Sequence, residues 1–149
     1  MAECIRYINL PKPPSSILED FKQTSDMFPD FNDAFLKTEE YCELIDEWCK
    51  INICDSLKFG VQVIKHDVSK HKDNGNLYIP QSKLVYLVES GGKDVITKFW
   101  FDNDKLFREY KIKTKCWHLI KVNTLHSVHG IEPNKIRWGI SAQMFHNVE

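Results

Sequence analysis

The stretch KLVYLVESGGKDVITKFWF, residues 83–101, contains two apolar segments joined by a turn, and it indicates which kind of fold to expect. The segments KLVYLVE (83–89) and VITKFWF (95–101) are rich in β-branched and aromatic residues, which favour strands. The residues ESGGK between them supply two glycines for a tight turn. The stretch therefore predicts two strands joined as a β-hairpin.

Similar segments recur after residue 57, and turn residues such as DNGN, FDND and EPNK separate them. In KFGVQVIK (58–65), Val61 and Val63 occupy alternate positions, as expected in a strand. Further strands are predicted at CWHLIKV (116–122) and KIRWGISAQMF (135–145). A run of closely spaced strands of this kind is typical of a β-sandwich or a barrel.

The first 57 residues have a different pattern, which predicts helices. The segment SSILEDFKQT (15–24) predicts a short helix with one of its serines as the N-cap. A longer helix is predicted from about Ala34 to Lys50, because apolar residues recur at helical spacing and Asn32 or Asp33 can cap it.

Together these segments predict a mainly β protein with N-terminal helices, of the α+β class. The 149 residues suffice for one domain with a core of its own. We therefore expect a single domain over 1–149, in which residues 1–57 form a leader and helical cover and residues 58–146 form the β core.

Composition and cysteine content restrict the functional class. The formal net charge of −1 and the pI of about 6.6 argue against a dedicated nucleic-acid binder, which usually carries a basic excess. The five cysteines form no C-x-x-C pair, which favours a reducing cytoplasm over a disulfide-linked or zinc-knuckle protein. The N-terminus lacks an apolar signal region, and the longest apolar run, LVYLV (84–88), is too short to span a bilayer. We expect a cytoplasmic protein that does not bind membranes.

The segment VSKHKDNG (68–75) contains the first candidate metal ligands, His71 and Asp73. Side chains two residues apart on an extended segment point in the same direction, so both can reach one ion. Because such a short motif also arises by chance, a polar loop tip that happens to contain a histidine is the alternative.

A third ligand is available from VNTLHSVHG (122–130), where we favour His126 over His129 because His129 adjoins a glycine at a turn. Two histidines and one carboxylate form a facial triad with three open coordination positions, a set that suits non-haem Fe(II), although zinc accepts the same ligands. His118 lies within a strand pattern and is interpreted as a packed core residue.

A candidate anion site follows in IRWGIS (136–141). On a strand, Arg137, Gly139 and Ser141 share one face. An arginine on an inward face needs an anionic partner, and a dicarboxylate can supply one, bound by the guanidinium and the Ser141 hydroxyl with Gly139 leaving room for it. The alternative is a surface strand with Arg137 in solvent.

The order H-x-D, distal histidine, arginine, here His71-Lys72-Asp73, His126 and Arg137, resembles the pattern of the Fe(II)/2-oxoglutarate-dependent dioxygenase superfamily. The resemblance covers about residues 58–146. It implies a double-stranded β-helix (jelly-roll) core, with Fe(II) on the three ligands and no catalytic residue beyond them. It also implies 2-oxoglutarate as co-substrate, bound by Arg137 and Ser141 with Tyr86 and Thr97 as further hydrogen-bonding candidates.

The same resemblance implies a reaction in which O2 and 2-oxoglutarate are consumed, succinate and CO2 are released, and a substrate is hydroxylated. A core this short leaves little chain for lids, so a protein or peptide residue is the expected substrate, with a nucleobase or a small metabolite as the alternative. The basic, aromatic segment NDKLFREYKIKTK (103–115) is either a contact for phosphate or an acidic substrate or a solvated hairpin face.

Two other functions are compatible with the same β pattern. One is a cupin-like sugar isomerase or epimerase, although metal-binding cupins typically have an H-x-H pair, which this sequence lacks. The other is a non-catalytic β-sandwich binding module whose histidines are incidental.

Overall fold

The structure, a computed structural model, describes residues 3–26, 37–40, 42–73 and 82–144. In these ranges the chain forms two helices and ten strands arranged in two antiparallel sheets, consistent with a β-sandwich. The helices are α1 (Ser15–Asp26) and α2 (Glu43–Asn52). The prediction of a mainly β protein with N-terminal helices is confirmed.

The larger sheet has six strands in the spatial order β1-β8-β5-β10-β3-β2. Its strands, in chain order, are β1 (Ile5–Ile8), β2 (Lys37–Glu40), β3 (Gly60–Ile64), β5 (Ser82–Ser90), β8 (Trp117–Lys121) and β10 (Arg137–Met144). The smaller sheet has the order β4-β9-β6-β7, formed by β4 (Val68–His71), β6 (Ile96–Trp100), β7 (Leu106–Tyr110) and β9 (Leu125–His129).

The two helices cover one face of the larger sheet. Phe21 from α1 and Cys49 from α2 belong to the same buried cluster as Val61, Trp138 and Ile140 of the sheet. Burial of these apolar side chains away from water is the main force that holds the helices on the sheet. Within the described residues, neither helix is both long and apolar enough to cross a membrane.

The second helix, α2, begins later than the sequence pattern predicts. It starts at Glu43, and the four residues Lys37–Glu40, predicted to be helical, form β2 instead. They pair antiparallel with β3, so hydrogen bonding to a sheet edge overrides local helix propensity there. The predicted caps Asn32 and Asp33 lie outside the described residues.

The predicted hairpin at ESGGK is also wrong, although both of its strands exist. β5 belongs to the larger sheet and β6 to the smaller one, so the two glycines connect the sheets instead of joining neighbouring strands. The hairpin partner of β6 is β7, reached through the FDND turn. At Gly91, φ is +90° and a Cβ would lie 3.0 Å from the Cβ of Arg137, so this connection requires glycine.

An irregularity in the pairing of β5 with β10 lies beside the predicted anion site. The pairing of β10 with β5 shifts between Trp138 and Gly139, as at a β-bulge. A Cβ on Gly139 would lie 2.5 Å from the carbonyl oxygen of Tyr86. Glycine at this position therefore allows the two backbones to approach, in addition to any room it leaves for a ligand.

Candidate functional site

A cavity lies between the two sheets and brings together most of the predicted site residues. The larger sheet contributes alternate residues of β3, β5 and β8 and the first three residues of β10, and the smaller sheet contributes residues of β4, β6 and β9. Its volume of about 80 Å³ exceeds the space that one water needs, which is roughly 10–15 Å³ on the same measure. The cavity can therefore accommodate a small ligand.

His71, Asp73 and His126 meet at one end of this cavity. His71 and His126 are directly paired across β4 and β9, with ring centroids 4.3 Å apart. Asp73 lies just past the end of β4, where its backbone N–H donates to the carbonyl of Val122 at 2.9 Å. One ligand atom from each of the three residues lies within 4.8 Å of the other two.

The separations of these ligand atoms match those around a metal ion. Nε2 of His71 and Nε2 of His126 lie 3.3 and 3.5 Å from the same oxygen, Oδ1 of Asp73. Metal–ligand bonds of about 2.0–2.2 Å place neighbouring ligand atoms in an octahedral site about 3 Å apart. The distances from Asp73 to the two histidines are therefore close to those on one face of an octahedron, and the ligand atoms of the two histidines lie within 4.8 Å of each other.

The orientation of the two imidazole rings also suits metal binding. Nδ1 of His71 lies 2.8 Å from the carbonyl oxygen of Ser69, and Nδ1 of His126 lies 2.8 Å from that of Thr124. A carbonyl only accepts, so each Nδ1 carries the proton and each Nε2 presents its lone pair to the centre in the neutral ring. Metal-binding histidines typically donate their second nitrogen to such a carbonyl.

The protonation states of these residues also suit a metal ion. Burial lowers the pKa of His126 to about 4, so its ring is neutral at pH 7, the form that binds a metal. Burial acts to raise the pKa of Asp73, but the hydrogen bond with His71 and the charge of Lys83 outweigh it and hold that pKa below its usual range. At His126, a neutral nitrogen lone pair thus faces a carboxylate oxygen of Asp73, and an ion between the two atoms would relieve this arrangement.

Lys83 is a neighbour of this site that the sequence analysis did not select. It points into the cavity from β5, and its Nζ lies 3.0 Å from Oδ2 of Asp73. The side chains of Lys83 and Asp73 are only 7% and 10% exposed. The sequence signal was a lysine in alternation with Val85 and Leu87, two apolar residues on the same strand face.

Arg137 lies in the same cavity, and its side chain is buried with only 7% exposure. Its guanidinium donates to the Ser90 carbonyl at 3.3 Å and to the Thr97 hydroxyl at 3.2 Å. In the described part of the chain it forms no ion pair with a carboxylate. Burial lowers the pKa of Arg137 to about 10, so it is still charged at pH 7 and needs an anion.

The remaining predicted ligand-binding residues differ in position. Thr97 is buried, lines the cavity and bonds Arg137. Ser141 shares the face of β10 with Arg137 but does not line the cavity. Tyr86 lies in the core cluster beneath the helices, 5.2 Å from the ring of Trp117, and is also absent from the cavity wall. The structure therefore brings Thr97 to the site, but neither Ser141 nor Tyr86.

Two other histidines of the β core, His129 and His118, differ in whether their strand face borders the cavity. His129, the competitor for the distal position, contacts the Ser127 hydroxyl at 2.7 Å on the face of β9 that points away from the cavity. His118 points into the cavity, although its pattern was interpreted as core packing. Its ring is 2% exposed, and burial lowers its pKa to about 4.

Comparison with known proteins yields a likeness of fold. No protein-family model matches the chain, and curated proteins give no match either. The crystal structure of EvdMO1 is similar with a TM-score of 0.58 and 9% sequence identity, over 97% of this chain and 47% of EvdMO1. This chain thus spans about half the length of EvdMO1, and at this identity the similarity concerns the β-rich fold alone.

A second solved structure is more distant. Peruvianin-I, a cysteine peptidase from Thevetia peruviana latex, has a TM-score of 0.49 and 14% identity, over 95% of this chain and 84% of that one. This similarity is too low to bear on either fold or function.

Proposed function

We propose that this protein is an Fe(II)- and 2-oxoglutarate-dependent dioxygenase. The observation that carries the proposal is the presence of two complementary sites in one cavity. His71, Asp73 and His126 offer three ligands to a cation, and the buried Arg137 offers a charge to an anion. A dicarboxylate that chelates the metal with one end and pairs with Arg137 at the other end would occupy both sites at once.

2-Oxoglutarate has the chemistry that such a cavity demands. Its keto-acid end chelates a metal through two oxygens, and its other carboxylate pairs with a guanidinium in a bidentate manner. Arg137 is already oriented by its hydrogen bonds to Thr97 and Ser90, so little side-chain entropy is lost on binding.

The ligand set favours Fe(II) over zinc. Three ligands on one octahedral face leave three positions, two for a chelating keto acid and one for oxygen. Catalytic zinc sites also use three protein ligands, but their tetrahedral geometry leaves one open position instead of three. When bound, the iron and 2-oxoglutarate would supply oxygen activation, with succinate and CO2 released as the substrate is hydroxylated.

We further propose that the sandwich is a double-stranded β-helix, formed by residues 58–146 within a single domain. The strand order supports this assignment. From β3 to β10 the chain alternates between the sheets except at the β6–β7 hairpin, and all pairings are antiparallel. This winding places β8-β5-β10-β3 side by side within the larger sheet and β4-β9-β6-β7 in the smaller one, an arrangement expected for the two four-stranded layers of a jelly roll.

The chain's own residues prepare the site for this chemistry. The carbonyls of Ser69 and Thr124 keep the two histidines in the tautomer that ligates. Lys83 holds Oδ2 of Asp73, leaving Oδ1 for the ion. The apolar walls around Val85 and Val128 limit the entry of water near the metal.

The open side of the site suggests the substrate class. The His71 side chain is 34% exposed, in contrast to 8% for His126. A substrate approaching from the His71 side reaches the metal without entering the narrow cavity. We therefore propose a protein or peptide side chain as the hydroxylated group.

The direct test is an anaerobic titration of the purified protein with Fe(II) and 2-oxoglutarate, followed by absorption spectroscopy. Chelation by the keto acid is expected to produce a visible metal-to-ligand charge-transfer band. Arg137→Ala is expected to weaken 2-oxoglutarate binding by about 100-fold or more, because it removes a buried charge-assisted contact. Arg6→Ala, on the exposed part of β1, is the matched control and should bind like the wild type.

The same titration separates this function from its alternatives. A wild-type protein that binds Fe(II) without a band on adding 2-oxoglutarate would rule out the dioxygenase. Metal-independent turnover of a sugar nucleotide would favour the epimerase, and unchanged metal content in His71→Ala would favour a binding module with incidental histidines.

A further inference from the structure

His118 is a buried polar residue in the cavity that the proposed chemistry does not use. It lies on β8, where His118 and Ile120 point into the cavity and Trp117 and Leu119 pack toward the helices. Its cross-strand neighbour on β5 is Val85, another residue of the cavity wall. The ring is therefore placed where a ligand in the cavity can reach it.

One polar atom of His118, the ring nitrogen Nδ1, lacks a partner. Nδ1 is buried without a hydrogen bond, although the backbone carbonyl of Cys116 is near enough to oppose the pKa-lowering effect of burial. The ring meets Tyr7 edge-on with centroids 6.1 Å apart, but the Tyr7 hydroxyl accepts its hydrogen bond from the N–H of Lys113. Buried polar groups are almost always paired, so this imidazole calls for a partner in the cavity.

His118 is not a fourth metal ligand. Of the described histidines, cysteines and acids, only His71, Asp73 and His126 come close enough together to share an ion. Arg137 and His118 both line this cavity, where the charge of Arg137 also helps to lower the pKa of His118. A group bound by Arg137 is thus the natural partner of the imidazole.

We propose that an N–H of His118 donates a hydrogen bond to the ligand carboxylate that Arg137 binds. This inference rests on the proposed function, because 2-oxoglutarate supplies the carboxylate. Arg137 and Thr97 approach that group from β10 and β6, and His118 approaches it from β8. His118 is then a specificity residue that favours keto acids with a second carboxylate.

The experiment compares two keto acids that share the chelating end. 2-Oxobutyrate is 2-oxoglutarate without its distal carboxylate. Anaerobic Fe(II) titrations measure the dissociation constant of each in the wild type, His118→Phe, His118→Gln and His66→Phe. His118→Phe fills the space without an N–H, His118→Gln restores a donor, and His66→Phe is a control outside the cavity wall.

His118→Phe is expected to weaken 2-oxoglutarate binding about tenfold or more, as for the loss of a hydrogen bond to a charged group. Its affinity for 2-oxobutyrate should change by less than about twofold, since that ligand lacks the interacting group. His118→Gln should recover part of the affinity for 2-oxoglutarate, and His66→Phe should leave both dissociation constants unchanged.

A second readout does not depend on the variants folding. In the Zn(II)-loaded wild type, 2-oxoglutarate should shift the ring ¹⁵N resonances of His118, and 2-oxobutyrate should not. Equal binding of 2-oxoglutarate by wild type and His118→Phe, an equal loss for both keto acids, or unshifted resonances would overturn the inference. If the wild type binds 2-oxoglutarate in those cases, the dioxygenase proposal stands; if it does not, both proposals fall.

Discussion

Nζ of Lys83 lies 3.0 Å from Oδ2 of Asp73, the carboxylate oxygen that faces away from the two histidines. The two residues come from opposite walls of the cavity, and both side chains are largely shielded from solvent. The ion pair divides the carboxylate, with one oxygen held by the lysine and the other directed at the metal site. It also balances the charge of Asp73 when no metal is bound.

Lys83→Met should destabilise the metal-free protein by about 3 kcal/mol, because it leaves a largely buried carboxylate without its cation. Urea unfolding in the presence of a chelator measures the free energy of unfolding. The control is Lys98→Met, which breaks a more exposed ion pair of 3.6 Å with Glu109 and should cost less than about 1 kcal/mol. An equal decrease in the free energy of unfolding for the two variants would show that the Lys83–Asp73 pair stabilises the protein no more than an exposed ion pair does.

His126→Ala should reduce the affinity for divalent metal on the order of 100-fold, since it removes one of three ligands. Equilibrium dialysis with Mn(II) measures this affinity without turnover. His129→Ala is the matched control, because His129 lies on the same strand but points away from the cavity. A larger loss of metal affinity in His129→Ala than in His126→Ala would show that His129, and not His126, is the distal ligand.

Stability should depend on pH through His118, whose pKa burial lowers from 6.5 to about 4. As the pH falls below 6.5, the unfolded chain takes up the proton before the folded one does, so the free energy of unfolding decreases. The contribution of His118 is complete above about pH 6.5 and is lost by about pH 4, a change of roughly 3 kcal/mol.

Urea unfolding of the metal-free protein between pH 7.5 and 4 measures this dependence. His118→Phe removes the titrating group, so its free energy of unfolding should fall less steeply with decreasing pH. His126 titrates in both proteins, and its contribution cancels in the comparison. Parallel pH profiles of the wild type and His118→Phe would mean that His118 takes up a proton in the folded protein as readily as in the unfolded chain.

Gly139→Ala should lower the free energy of unfolding by about 2 kcal/mol, because the new Cβ meets the Tyr86 carbonyl oxygen at 2.5 Å and the backbones must separate. Thermal and urea unfolding measure the loss. Ser141→Ala on the same strand keeps its Cβ and should change stability by less than about 0.5 kcal/mol. An unaffected Gly139→Ala protein would indicate that the bulge adapts at no cost.

The sequence predicted much of the β core because strand signals are local. Alternation and β-branched content predicted β3, β5, β6, β8 and β10 close to their observed bounds. The spacing of His71 and Asp73 likewise placed two ligand candidates on one extended segment, and the structure brings His126 to them.

The tertiary structure decided which strands pair with each other and which way their side chains face. The glycines of ESGGK predicted a turn, but whether the strands on either side join one sheet or two depends on distant partners such as β8 and β9. Lys37–Glu40 form a strand only because the edge of β3 is available to them. Neither outcome is encoded in the residues of the segment itself.

By itself, then, the sequence determined that β3, β5, β6, β8 and β10 extend and which of their side chains share a strand face, since both follow from a period of two along the chain. It did not determine which face borders the cavity, because that depends on where the other sheet and the helices pack. For this reason Lys83 and His118 emerged as cavity residues, and Tyr86 as a core residue, only in the folded chain.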